Sequence, residues 1–222
     1  MPAARADRPP SSRATATAIA PSRLARRWPL LVVSFVEGGA LMAVELLGAR
    51  AVAPYFGSSL YVWSIVLATT VGGLTAGYAL GGRMAGGDRR SEVLVWVLAI
   101  AAALVALLPI TSAAVMGATA GLDLRAAILV SCAAFLLPPL VAFGMVSPLV
   151  IGLVSTDLAA VGRAAGTVYA VSTVGGVVAT FLYGFLLIPF GGVRASALAT
   201  AAALALLPPL ALLDRRHSRT AP

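Results

Sequence analysis

Apolar runs of roughly 20 residues recur along the chain between short polar breaks. A helix of about 20 residues, at about 1.5 Å per residue, crosses the ~30 Å hydrocarbon core of a bilayer. Only 11% of the residues are charged, whereas soluble domains usually carry about 25%. The pattern predicts an all-α fold, a polytopic membrane bundle of about six transmembrane helices.

Three regions are predicted. Residues 1–27 form an Arg-rich arm without apolar periodicity, expected to be disordered and cytoplasmic, with an organelle transit peptide as the alternative. Residues 28–214 form the transmembrane domain, and residues 215–222 a basic cytoplasmic tail.

Helices are predicted at residues 29–52, 60–82, 93–116, 126–154, 165–188 and 195–213. The fourth contains Pro138, Pro139 and Pro148, so it is either one kinked helix or a broken, re-entrant pair.

The positive charge is distributed unequally between the two sides of the predicted bundle. The net charge of +8 comes from Arg alone, and 13 of the 16 Arg residues lie in the arm, the 83–92 loop, the turn at Arg163 and the tail. Arg50, Arg125 and Arg194 lie on the other side. The positive-inside rule then predicts both ends in the cytoplasm of a bacterial inner membrane. This arrangement also argues against nucleic acid as a partner.

Two acidic residues, Glu37 and Glu45, interrupt the first apolar run. A carboxylate near the bilayer centre is costly, so it usually faces a partner or a cavity. At about 100° per residue, both lie on one polar or small stripe with Ser34, Gly38 and Gly48. The stripe is a candidate cation-binding or proton-relay site. The alternative is a structural pair of acids that holds helices together through hydrogen bonds.

Two helices carry small residues at a four-residue spacing, which predicts faces for close helix packing. On the second helix these are Gly73, Gly77 and Gly81, flanked by Thr69 and Ala85. On the fifth they are Ser172, Gly176, Thr180 and Gly184. A ligand path is the alternative interpretation, and the matching positions suggest a weak inverted repeat of the kind found in transporters.

No motif for catalysis, cofactor binding or metal binding occurs in the chain. Cys132 lies alone in an apolar run, where we expect a small buried side chain, and His217 has no second ligand near it. We therefore expect no cofactor and no metal. The cytoplasmic loop with Arg83, Asp88 and Arg89 resembles the loop between the second and third helices of major-facilitator transporters.

Two longer stretches together resemble the membrane domain fused to bacterial spermidine synthases. The first contains Glu37, Gly38, Met42, Glu45, Leu46, Arg50, residues 53–63 (APYFGSSLYVW), Gly77, Tyr78, Gly81, Gly82 and Arg83. The second contains Gly144, Met145, Ser147, Pro148, Gly162, Gly166, residues 169–175 (YAVSTVG), Phe185, Ile188 and Pro189. In that family the acid after the Gly-Gly-Arg element comes sooner, because residues 85–87 intervene here before Asp88.

The resemblance implies a function tied to polyamines. The fused proteins carry an aminopropyltransferase domain after the membrane domain, whereas this chain ends soon after residue 213, so we expect no enzyme activity of its own. One hypothesis is a membrane partner or anchor for a separate spermidine synthase-like enzyme. The alternative is a small transporter or channel for a polyamine-like organic cation. The expected partners are the lipid bilayer and that enzyme, and homo-oligomerisation is left open.

Overall fold

The computed structural model describes residues 28–155 and 158–212. The predicted arm at 1–27 and the predicted tail at 215–222, with His217, lie outside the described residues. The described chain is helical almost throughout, and it contains no strand. The helices are α1 (Trp28–Phe56), α2 (Leu60–Ala85), α3 (Arg90–Thr119), α4 (Leu124–Phe135), α5 (Leu137–Val154), α6 (Leu158–Leu182) and α7 (Gly192–Ala205), with a π-helical segment (Tyr183–Gly191) between α6 and α7.

Five segments of the described chain are long and apolar enough to cross a membrane. They are α1, α2, α3, α5 and the stretch Ala160–Leu212, while α4 is apolar but shorter. Large apolar side chains cover the outside, as Phe185 and Phe190 illustrate with exposures of 70% and 84%. The prediction of an all-helical fold is thereby confirmed for the described residues, with five to six apolar segments that are candidates to span a membrane.

The stretch Ala160–Leu212 is not one straight rod. The hydroxyl oxygens of Tyr183 and Thr200 are 2.8 Å apart, although a continuous helix would separate these residues by about 25 Å. The chain therefore reverses between them. Gly192 makes the reversal with φ 71° and ψ 177°, a conformation that favours glycine because it has no Cβ. The predicted break between the fifth and sixth helices lies at this reversal.

The first turn is shorter than the sequence pattern indicated. A hairpin was expected at 53–59, but α1 continues through Pro54 to Phe56. Pro54 has no N–H group, so the last turn of α1 lacks one backbone hydrogen bond but continues for two more residues. Gly57 ends the helix instead, with φ 76° and its N–H bonded to the Ala53 carbonyl at 2.9 Å, which is a common glycine C-cap.

The fourth predicted segment is one kinked path. Its two halves, α4 and α5, meet at Leu136, whose N–H bonds to the Cys132 carbonyl and whose carbonyl accepts from Leu140. The helical ladder therefore continues across the junction. Pro138 and Pro139 each remove a donor from the next turn, which accounts for the kink. The alternative of a re-entrant pair does not describe this geometry.

α1 lies at the centre of the bundle, where it contacts every other helix of the described chain and the π-helical segment. The other large interface joins α2 to α5. A Cβ added at Gly73 would lie 2.7 Å from the Leu140 Cβ, and one at Gly81 would lie 2.7 Å from the Met145 carbonyl oxygen. The row of small residues on α2 thus lets the two backbones approach closely, where lipid supplies no hydrophobic drive.

Exposed arginines collect at one end of the bundle. Arg83 lies in the last turn of α2, and Arg89 directly precedes α3. A Cβ added at Gly152, near the end of α5, would lie 3.0 Å from the Ala85 carbonyl oxygen. The connection from α5 to α6 therefore lies at the same end as the α2–α3 loop. Arg163, near the start of α6, belongs to this end as well, and all three arginines are exposed.

The opposite end carries Arg50, Arg125 and Arg194. The Arg125 guanidinium lies 5.2 Å from the centre of the Tyr61 ring, a cation–π contact that joins the starts of α2 and α4. Arg50 lines a groove together with Ile188 of the π-helical segment. Arg194 follows the chain reversal. The two ends thus separate the arginines in the way that the sequence pattern indicated.

Replacing Gly77 by Ala should destabilise the protein, whereas replacing Gly72 by Ala on the same helix should not. A Cβ at Gly77 would overlap backbone atoms of Val141 and Gly144. A Cβ at Gly72 would meet nothing within 4 Å. Overpacking typically costs about 1–3 kcal/mol, so we expect a lower melting temperature in detergent for Gly77→Ala alone. Equal melting temperatures for the two variants would contradict the α2–α5 contact.

Candidate functional site

Glu37 is the buried acid of the bundle, with only 2% of its surface exposed. It lies on the side of α1 that faces α6. The Ser172 hydroxyl of α6 donates a hydrogen bond to Glu37 Oε2 over 3.4 Å, which is long for an O–H donor. Ser34, one turn earlier on α1, bonds instead to the Leu30 carbonyl of its own helix. One weak hydrogen bond therefore supports a carboxyl group deep in the bundle.

Glycines line both sides of the helix crossing beside Glu37. A Cβ added at Gly38 would overlap the Ser172 carbonyl, and one at Gly175 would overlap the Phe35 carbonyl. A Cβ added at Gly39 would lie 3.3 Å from the Gly175 carbonyl oxygen. The two backbones are thus in direct contact, as small residues permit in membranes. This contact fixes the distance between Glu37 and the α6 hydroxyl.

The packing face of α6 follows only part of the predicted row of small residues. Ser172 and Gly176 face α1, and a Cβ added at Gly176 would lie 3.0 Å from the Met42 Cγ. Thr180 is exposed and bonds to the Gly176 carbonyl of its own helix. Gly184 is exposed, with nothing within 4 Å of an added Cβ. The structure places these last two residues outside the α1–α6 contact.

Ala179 of α6 and Tyr183 of the π-helical segment continue this side of the contact instead. Both are buried in a small cluster with Ala43 and Leu47 of α1. A strict four-residue step advances about 40° around a helix at each repeat, so the predicted row turns away from α1 after Gly176. The observed row mixes steps of three and four residues and stays on one face.

One tyrosine, Tyr78 of α2, is within electrostatic range of Glu37, and Tyr169 of α6 is within electrostatic range of Tyr78. Tyr78 and Tyr169 are 39% and 45% exposed, so they border the outside of the bundle. The packing between α2 and α6 is at most marginal, in contrast to the α1–α6 and α2–α5 interfaces. Both tyrosines therefore lie at the outer surface of the bundle, whereas Glu37 is buried.

Glu45 has a different environment. It is half-buried, and no hydrogen bond or ion pair joins it to another residue within the described ranges. It follows Glu37 by eight residues, about 12 Å along α1 and about 80° around it. Although the two acids share the predicted stripe, the structure joins only Glu37 to polar groups of a neighbouring helix.

The remaining predicted residues do not assemble into a second polar site. Gly73, Gly77 and Gly81 lie in the α2–α5 interface. In the loop, Arg83, Asp88 and Arg89 are exposed. Cys132 is buried and has a free thiol. Among the described residues, no cluster of three His, Cys, Asp or Glu side chains could hold a metal ion.

The prediction of site residues overlooked Tyr78 and Tyr169, although both fall in the stretches that carry the family resemblance. A tyrosine well inside an apolar helix is a polar group that needs a reason to be there. That signal was available in the sequence. Their nearness to each other was not, because it depends on where α2 and α6 lie around α1.

Together, the fold and the site define a class: an all-helical protein with several helices long and apolar enough to span a membrane, and with a buried carboxyl group at a helix crossing. The chain matches no model of a protein family, no curated protein and no solved structure. The resemblance to the membrane domain of fused spermidine synthases thus stays a prediction.

Replacing Ser172 by Ala should lower the free energy of unfolding by about 1 kcal/mol, because Glu37 loses the hydroxyl that donates to it. The matched control is Thr173→Ala on the next residue. Thr173 is exposed, and its hydroxyl bonds only to the Tyr169 carbonyl of its own helix. Melting temperatures of both variants in detergent test the difference. A loss no greater for Ser172→Ala than for Thr173→Ala would show that the Glu37 bond contributes nothing to stability.

Proposed function

We propose that the protein is a transporter that binds an organic cation at Glu37. The burial of Glu37 carries the proposal, because a carboxylate in hydrocarbon is costly unless a counter-charge compensates it. Ser172 supplies one long hydrogen bond, and no described basic residue forms an ion pair with Glu37. A cation bound from solution would supply the missing charge.

The surroundings of Glu37 favour an organic ammonium group over a metal ion. Ca²⁺ takes about six to eight oxygen ligands, whereas Glu37 offers one carboxylate with one serine hydroxyl beside it. Tyr78 adds an aromatic ring within electrostatic range of Glu37, and the faces of aromatic rings attract ammonium groups. The resemblance to the membrane domain of fused spermidine synthases supports a polyamine as the cation.

The proposed entry to the site lies between α2 and α6, at Tyr78 and Tyr169. These two tyrosines are partly exposed, whereas Glu37 is buried. Irregular helices are common in transporters, where they line a path for the substrate. The kink at Leu136 and the π-helical segment are irregularities of this kind.

The proposed topology has six transmembrane passes with both ends in the cytoplasm. In this arrangement, the reversal at Gly192 divides the stretch Ala160–Leu212 into two passes, and α4 with α5 makes one. The end that carries Arg83, Arg89 and Arg163 would face the cytoplasm by the positive-inside rule. A bacterial inner membrane is the proposed location.

A second candidate function is the docking of a separate spermidine synthase-like enzyme. The exposed arginines of the proposed cytoplasmic end, Arg83, Arg89 and Arg163, support it, because they offer a basic surface to an acidic partner. This function and cation binding at Glu37 involve different parts of the molecule and are compatible.

Replacing Glu37 by Gln should abolish polyamine binding while the fold is retained. The amide keeps the shape of the side chain and can still accept a hydrogen bond from Ser172, but it carries no charge for the cation. Charged hydrogen bonds contribute enough that their loss lowers affinity about tenfold or more. Binding of radiolabelled spermidine to purified protein, followed by uptake into proteoliposomes, measures the effect.

Glu45→Gln is the matched control for this experiment, because it makes the same chemical change on the same helix. Glu45 has no polar partner within the described chain, so its amide variant should bind spermidine within about threefold of the wild-type affinity. Full binding by Glu37→Gln with an unchanged melting temperature would end the proposal. An equal loss in both variants would refute a single site at Glu37.

Reporter fusions test the topology. Fusions after Gly87 and after Leu212 should report cytoplasm, and fusions after Ser58 and after Gly121 should report the opposite side, since the arginine-rich end is retained in the cytoplasm. A C terminus on the same side as Ser58 would refute six passes. A cytoplasmic report after Ser58 would contradict the docking function as well, because the basic surface would then face away from the cytoplasm, where a soluble synthase is found.

A further inference from the structure

A groove of about 360 Å³ opens on the end of the bundle opposite the arginine-rich end. Three elements form it: the second half of α1, the start of α2 and the π-helical segment. Most of its wall is apolar, with Leu46, Val62 and Ile188 as examples, and its polar lining comes from Arg50, Ser58 and the indole of Trp63. The groove is therefore amphipathic, with one cationic group on an apolar wall.

Arg50 is the charged residue among those that line the groove. Its side chain is exposed, and it forms no hydrogen bond or ion pair with any other described residue. Trp63 stands beside it in the lining, and tryptophan is enriched where the hydrocarbon meets the headgroups. An exposed guanidinium group thus lies beside a tryptophan at one end of the bundle.

Gly184 gives the groove its depth. The four-residue spacing predicted Gly184 in a packing face, yet a Cβ added there would meet nothing within 4 Å. The residue lines the groove instead, together with Ile188 and Pro189 of the same segment. A glycine at this point leaves room that a larger side chain would occupy.

The geometry points to an anionic phospholipid as the occupant of this groove, with its phosphate on the Arg50 guanidinium and one acyl chain along the apolar wall. The planar guanidinium fits phosphate through two parallel N–H donors. Basic pockets between transmembrane helices at the cytoplasmic face bind lipid headgroups by this chemistry, and phospholipid phosphates are present at the opposite face as well. A free anion would satisfy Arg50 but would leave the apolar wall unfilled.

This inference is independent of cation binding at Glu37. Arg50 follows Glu37 by thirteen residues, which is about 20 Å along α1. None of the residues named at the Glu37 site lines the groove. Either site can be absent while the other is present.

Native mass spectrometry of the purified full-length protein in detergent tests the lipid site. The protein is exposed to mixed micelles that contain phosphatidylglycerol and is then washed with detergent. The wild-type protein should keep one lipid bound, and Arg50→Gln should lower the retained fraction about tenfold, as expected for the loss of a charged hydrogen bond. Arg194→Gln is the control, because Arg194 is an exposed arginine of the same end that does not line the groove.

A second variant tests the shape of the groove without a change of charge. Gly184→Leu should also release the lipid, while its melting temperature stays near that of the wild-type protein, because the added side chain enters open space. Millimolar inorganic phosphate should not displace the lipid. Equal lipid loss in Arg50→Gln and Arg194→Gln, full retention by Gly184→Leu, or displacement by phosphate would each overturn the inference.

Discussion

The contact between α1 and α6 is made of backbone atoms, because Gly38 lies against the Ser172 carbonyl and Gly175 lies against the Phe35 carbonyl. Lipid is as apolar as leucine, so helices in a bilayer associate through van der Waals contact and hydrogen bonds rather than through the hydrophobic effect. Close backbone approach maximises both terms. Since α1 also contacts every other element of the bundle, this crossing sets the position of the central helix. Glu37 lies next to the α1–α6 crossing, so the packing of these two helices determines the geometry of the site.

The sequence predicted the helices better than it predicted their mutual positions. Apolar length and polar breaks located the spanning segments and the reversal near Gly192, because both follow from local chemistry. The end of α1 was predicted too early, at residue 52, whereas the left-handed conformation of Gly57 ends the helix. The π-helical form of residues 183–191 has no comparable signal in the sequence. Apolar residues surround most of these helices, so little amphipathic pattern remains to indicate which face packs.

Only part of the candidate site was predicted, because the positions of the helices relative to one another could not be predicted. An acid inside an apolar run stands out, so Glu37 and Glu45 were both found, but only the structure separates the buried residue from the half-buried one. Tyr78 and Tyr169 lie on different helices, 91 positions apart in the numbering. No periodicity within one helix reports such a distance. Gly184 illustrates the opposite error, since a spacing typical of packing here belongs to a residue that lines an open groove.

The hydrogen bond between Glu37 and Ser172 joins residues that are 135 positions apart in the chain. A ribosome adding about 5–20 residues per second needs roughly 7–27 s to make that length of chain. During this interval α1 has emerged, and its acid has no α6 hydroxyl to meet. The insertion of α1 must therefore tolerate an acid without its final partner, at a cost of about 3 kcal/mol on translocon scales. The apolar residues around Glu37 supply the compensation, with a mean hydropathy of 2.0 over the best window of α1. The order of synthesis thus places a lower limit on how apolar α1 can be.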